Sequence, residues 1–115
     1  MPRIVVSGPA RRDITEILAW SVKNFGERSA ERYQALFASA LDLLKGDPNP
    51  TGSRSHPDIP EGFRIYHLQY RAKAAESALG IVKAPRHFIV FRLIPNDRLE
   101  IVRLLHDSMD FQRHI

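Results

Sequence analysis

Cysteine is absent from all 115 residues. Its absence removes disulfides, thiolate zinc sites and cysteine nucleophiles together, and it suits a reducing compartment. Long apolar runs are missing as well. No stretch approaches the roughly 20 residues that cross a bilayer, and the opening MPRIVVSGPARRDI lacks the apolar core of about 7–15 residues that marks a secretory signal. A cytoplasmic protein with no membrane partner is the expectation. Neither a glycine-rich phosphate loop nor a G-x-S-x-G nucleophile elbow occurs, so those routes to nucleotide binding and to serine hydrolysis are closed. Internal repeats and low-complexity tracts are not found either.

What is present is an ordinary globular composition, 43% apolar and 26% charged. Such a chain is long enough to bury one core and too short for two, so residues 1–115 are read as a single domain. The net charge of +4 is unevenly placed. Residues 1–53 hold seven basic and six acidic side chains, whereas residues 63–92 hold Arg64, Arg71, Lys73, Lys83, Arg86 and Arg92 against Glu76 alone, a local charge of +5. This middle zone is either a solvated basic face or an attractor for an acidic partner.

Periodicity places the elements. RIVVS at 3–7 is a short strand. Ser7 then suits a helix N-cap with Pro9 in the first turn, where a missing N–H removes no internal bond. Ile14, Ile17, Leu18, Val22 and Phe25 recur at helical spacing, and Gly26 is expected to end that helix in a left-handed conformation. A second stripe, Tyr33, Phe37, Ala40, Leu41 and Leu44, predicts a helix over about 29–45 that folds back on the first as an antiparallel hairpin. GDPNPTGSRSHPDIPEG is read as loop because of its prolines and glycines. Strands are expected at 63–70, 87–94 and 99–105, with PND at 95–97 turning the last pair into a hairpin. HFIVFRLI is apolar almost throughout, as in a central strand covered on both faces. Residues 71–85 are expected to form a mobile connection.

Two amphipathic helices need a surface to bury, and the sheet is the one available. The expected fold is therefore α+β and two-layered: an N-terminal edge strand and an antiparallel α-hairpin packed on a mainly antiparallel sheet of about three or four strands.

At this level of detail the chain resembles the ParE branch of the RelE/ParE superfamily, the toxins of bacterial type II toxin–antitoxin pairs. The resemblance rests on ARRDITEILAW followed by FG, on AERYQALFASALDLLKGDP, on EGFRIYHL, and on PRHFIVFRL with LEIVRLLHDSMDFQRHI. Residues 69–85 depart from it, being longer than the compact turn of the family. It implies a small β-α-α-β-β-β toxin held inactive by a cognate ParD-like antitoxin. ParE-type members act on DNA gyrase; RelE-type members cut messenger RNA on the ribosome.

Cutting RNA through its own 2′-hydroxyl needs a base, an acid and a positive clamp. Arg64, Arg86, His87 and His106 are the candidates for such a set. However, Asp107 and Asp110 flank His106 and would repel phosphate, and no tyrosine follows residue 70. The expected activity is therefore non-enzymatic inhibition of DNA gyrase by protein–protein binding, without a cofactor and without sequence-specific nucleic-acid binding. A RelE-like ribosome-dependent endoribonuclease is the alternative, and an inert member kept for antitoxin binding is a third. His106, Asp110 and His114 share a four-residue spacing that could gather ligands on a helix, but a polar tail is the simpler reading and no metal is expected.

On the gyrase reading, the target is met by Arg64, Arg86, His87 and Arg92 from the basic zone and by Phe111, Arg113 and His114 from the terminus. Alternation puts Arg103 on one strand face with Leu99, Ile101 and Leu105, where its charge needs a partner. Asp107 or Asp110 is the expected one, so that Arg103, His106, Asp107 and Asp110 latch the tail to the sheet. For the antitoxin, Ile14, Leu18, Trp20, Tyr33 and Phe37 on the helical hairpin are the expected contacts, Trp20 being either ordinary packing or an apolar anchor.

Overall fold

In the computed structural model, which describes residues 2–75 and 80–115, the chain runs β1 (Arg3–Val6), α1 (Gly8–Phe25), α2 (Glu27–Gly46), β2 (Ser53–Arg54), β3 (Arg64–His67), β4 (His87–Ile94), β5 (Arg98–His106) and α3 (Phe111–His114). The strands form one five-stranded sheet in the order β1-β5-β4-β3-β2. Only the β1–β5 pair is parallel; the others are antiparallel. The expected α+β layout of strand, α-hairpin and mostly antiparallel sheet is the one observed.

Ser7 shows why β1 gives way to α1. Its hydroxyl accepts the Ala10 N–H at 3.1 Å, satisfying a donor of the first turn, and donates to the Val102 carbonyl at 2.7 Å. The N-cap thus also ties the helix start to β5. At the other end Gly26 has φ +92° as expected, but its ψ of 171° is extended rather than left-handed helical. That backbone region is almost exclusive to glycine. It makes Gly26 the C-cap of α1 and the N-cap of α2 together, so α2 begins at Glu27, two residues before the expected Ser29.

Helix α2 buries Ala30, Tyr33, Leu36, Phe37, Ala40 and Leu44 against the sheet. Strand β4 is covered on both faces: Ile89 and Phe91 join Leu99, Ile101 and Leu104 in the core under the helices, and Val90 joins a second cluster with Ile59, Ile65, Leu105 and Phe111. The second cluster lies on the face of the sheet opposite the helices. Residues 54–62, read as plain loop, with Phe63 and the C-terminal segment lie over the outer face of the sheet, because Ile59, Phe63, Phe111 and Ile115 are apolar and pack there. The same region contributes β2, which brings the sheet to five strands.

A β-bulge in β5 corrects the alternation. Val90 pairs with Arg103, but the next residue, Phe91, pairs with Ile101, leaving Val102 as the extra residue. One inserted residue reverses which face the following side chains occupy. Leu105 therefore falls in the outer cluster, opposite Leu99 and Ile101, and not on one face with them.

Strand β3 stops at His67, three residues short of the expected Tyr70. The His67 Nδ1 accepts the Gln69 N–H at 3.0 Å and caps a 3₁₀ turn over Leu68–Tyr70. Asn96 and Asp97 take positive φ between β4 and β5, a conformation these two residue types tolerate well. The expected connection over 71–85 reaches residues 76–79, which lie outside the described residues; 71–75 form turns. Among the described residues no helix is long and apolar enough to cross a membrane.

Candidate functional site

The start of β4, the end of β5 and the end of β3 meet at one corner of the sheet. In register, His87 pairs with His106, and the Asp107 N–H donates to the Arg86 carbonyl at 2.7 Å. Asp107 is the hub of this corner. Its Oδ1 accepts from Arg86 Nε and Nη2 at 3.0 and 2.8 Å, and its Oδ2 accepts from Arg86 Nε at 2.9 Å and lies 3.0 Å from His67 Nε2. The Arg86 hydrogen bonds, reinforced by His67, hold the Asp107 carboxyl well below the usual carboxylate range.

Hydrogen bonding also settles which nitrogens of the histidines are occupied. The buried His67 uses Nδ1 to accept the Gln69 N–H, so Nε2 carries the hydrogen donated to Asp107. In His106, Nδ1 accepts the Ser108 N–H at 3.1 Å and faces the Ser108 hydroxyl at 2.7 Å. The Tyr33 hydroxyl lies 2.7 Å from His87 Nδ1. Burial first, and then the neighbouring His106, push the His87 pKa down to about 4. His87 is thus neutral near pH 7 and shares a hydrogen bond with the hydroxyl of Tyr33, whose own pKa burial raises.

Beside this corner a groove of about 650 Å³ runs between α1 and the ends of the strands. Ile17, Tyr33 and Leu104 contribute to its floor, Trp20 and Phe25 of α1 to one wall, and Pro85, His87, His106 and Met109 to the other. Trp20 and Phe25 meet edge to face with ring centroids 5.5 Å apart, yet remain 58% and 68% exposed. This corrects the packing alternative for Trp20 and the extension of the buried α1 stripe to Phe25. The buried part of that stripe is Ile14, Ile17 and Leu18, all half-buried against the core.

The expected partner of Arg103 is also corrected. Neither Asp107 nor Asp110 takes it; Asp13 on α1 does, with Oδ2 2.7 Å from Nε and Oδ1 2.9 Å from Nη2. Arg103 Nη1 then donates to the His114 carbonyl at 2.7 Å. The cause is architectural. Beyond the end of β1 no strand lies beside the β5 edge among the described residues, and Asp13 accepts the Leu104 N–H at 2.9 Å as a surrogate ladder partner next to the bulge. The tail is still tied to the sheet by Arg103, but through a backbone carbonyl. Asp107 serves Arg86 and His67, His106 turns to Ser108, and Asp110 caps α3 by accepting the Gln112 N–H at 3.0 Å.

The other expected contacts are scattered. Arg86 and His87 share the corner. Arg92 pairs with Glu100 at 2.9 Å and lies over the Phe63 ring, while Arg64 reaches Ser53 Oγ at 3.2 Å with its Nε buried and unpartnered among the described residues. Phe111 is buried between His56 and Phe88. Arg113 is exposed, 3.8 Å from Asp110, and His114 is half-buried. Of the ribonuclease candidates, Arg86, His87 and His106 come together and Arg64 does not. Of the expected antitoxin contacts, Tyr33 and Phe37 are buried and Trp20 is accessible. Sequence reasoning missed Asp13, His67 and Phe25; each gains its role from partners distant in the chain or from the abrupt end of α1. Among the described residues no group of three or more His, Cys, Asp or Glu could hold a metal ion.

A family model described as the ParE toxin of the type II toxin–antitoxin system parDE matches residues 4–111. No curated protein matches the chain.

Proposed function

The chain belongs to the ParE toxin family of type II toxin–antitoxin systems, and from that premise we propose that it arrests DNA gyrase by protein–protein binding and is silenced by a cognate ParD-like antitoxin. As a toxin of this family it has an antitoxin partner; gyrase as target and ParD-like chemistry in the antitoxin are the finer steps. The observation that carries the reading is the chemical closure of the sheet corner. Arg86 is engaged by Asp107, and the Nδ1 atoms of His67 and His106 already accept backbone N–H groups. Phosphodiester cleavage needs an available base and a free positive clamp. Here a carboxylate occupies the clamp, and its negative charge opposes phosphate. Beside it lies an accessible aromatic wall suited to protein contact.

A purified sample decides the matter. In a supercoiling assay with gyrase, relaxed plasmid should stay relaxed and cleaved DNA should accumulate, while messenger RNA on programmed ribosomes stays intact. Cut transcripts with unimpeded supercoiling would overturn the proposal. The meeting of Arg86, His87 and His106 on one wall favours the ribonuclease as second reading, and Asp107→Asn separates the two. Loosening the Arg86 clamp raises RNA cleavage if this corner is a nuclease, and leaves RNA intact if it is not.

A further inference from the structure

The groove between α1 and the strand ends carries charges that are nearly all matched internally. Asp13 faces Arg103, Arg86 faces Asp107, and His87 is held neutral. Glu16 is the exception. It lines the groove, is exposed, and among the described residues has no hydrogen-bond or ion-pair partner, only the field of Arg103. One helical turn further on, on the same side of α1, stands Trp20, with Phe25 edge-on to it. A carboxylate beside an aromatic pair attracts a cation both through its charge and through the π faces. Exposed Met109 on the opposite wall, together with Ile17 and Leu104, offers the apolar remainder.

We propose that this groove receives a segment of a partner protein in which apolar side chains fill the floor and one arginine or lysine seats against Glu16, Trp20 and Phe25. An isolated aromatic patch would take any apolar surface. The unmatched carboxylate makes this one selective, rewarding a cation and penalising an acidic residue at one position. The selectivity runs against the overall charge of +4, which favours acidic partners at long range. The partner segment is then acidic at its flanks and basic at one apolar-framed position. This inference does not rest on gyrase as the target.

Trp20 is the sole tryptophan of the chain, so its fluorescence reports the groove directly. Three helical peptides carrying a leucine stripe, identical except for arginine, norleucine or glutamate at one central stripe position, are titrated into the full-length protein. The arginine peptide should shift Trp20 emission and bind on the order of ten-fold more tightly than the norleucine peptide, with the glutamate peptide weakest. Glu16→Gln should erase most of the difference between arginine and norleucine, and Glu16→Lys should reverse the order of arginine and glutamate. Both changes are at an exposed position, and unchanged circular dichroism confirms the fold. Equal or better binding of the glutamate peptide, or no response of Trp20 to any of them, overturns the proposal. So does a self-associated dimer in sedimentation that Phe25→Ala dissociates, because a second copy would then be the occupant.

Discussion

A single carboxylate, Asp107, joins three strand ends through Arg86 and His67. His67 is 5% exposed, so losing its acceptor leaves a buried N–H unsatisfied. Asp107→Ala should lower stability by about 1–3 kcal/mol, measured by chemical denaturation. Because the carboxyl pKa is depressed in the fold, its contribution is complete above the ordinary carboxylate value of 3.8 and declines as pH falls below it. Acid unfolding should therefore be shallower in Asp107→Asn than in the parent. His87 acts in a higher window. Its pKa falls from 6.5 to about 4 on burial, so the unfolded chain binds the extra proton between those values and stability drops as pH falls through that interval. A proton NMR titration should place the His87 midpoint near 4, and His87→Gln should flatten the thermal midpoint against pH across the same range. A midpoint near 6.5 would contradict the burial described for the ring.

Among the elements, the bulge of β5 and the first turns of α1 act as a unit. Asp13 supplies both the counter-ion of Arg103 and the acceptor for the Leu104 N–H. Asp13→Ala removes both and should cost about 2–4 kcal/mol, more than Arg103→Ala, which leaves Asp13 bonded to the backbone. Urea denaturation of the two variants checks the order. None of this was legible in the sequence. The Ser7 cap, the α2 stripe and the unbroken apolar run of β4 were readable because their causes lie within a few neighbouring residues. Arg103 and Asp13 are 90 positions apart, and a bulge leaves no mark in an alternating pattern that its extra residue, Val102, continues in kind. A glycine at position 26 signals the abrupt turn, but nothing in the sequence signals the extended ψ that joins α1 directly to α2. For the same reason Phe25 passed for a buried member of the α1 stripe.

Across the molecule, the sheet is covered on both faces, by the helices and by the outer cluster under Ile59 and Phe111. The basic zone is correspondingly less open than its charge suggests: Arg71 bonds to Ser39, Arg86 to Asp107 and Arg92 to Glu100. Composition records how many charges a segment has, whereas their availability depends on tertiary pairing. Removing residues 108–115 would strip Phe111 and Ile115 from the outer cluster, so such a truncation should lose folding before it reports on target contact. Phe111→Ala alone should destabilise by about 3–5 kcal/mol, visible as a lower thermal midpoint. Arg113→Glu, at an exposed side chain, should leave stability within about half a kcal/mol of the parent and lower inhibition of the target if the terminus makes contact.

Strand β1 closes beside β5 through pairs running from Arg3 with Arg98 to Val6 with Ile101. A chain emerging from the ribosome holds its first strand long before it holds the partner. Until residue 101 is free, the apolar side of the helical hairpin has no finished sheet to settle on. Closure of the sheet is therefore a late step of folding, for which the first strand waits through most of the chain between Val6 and Ile101.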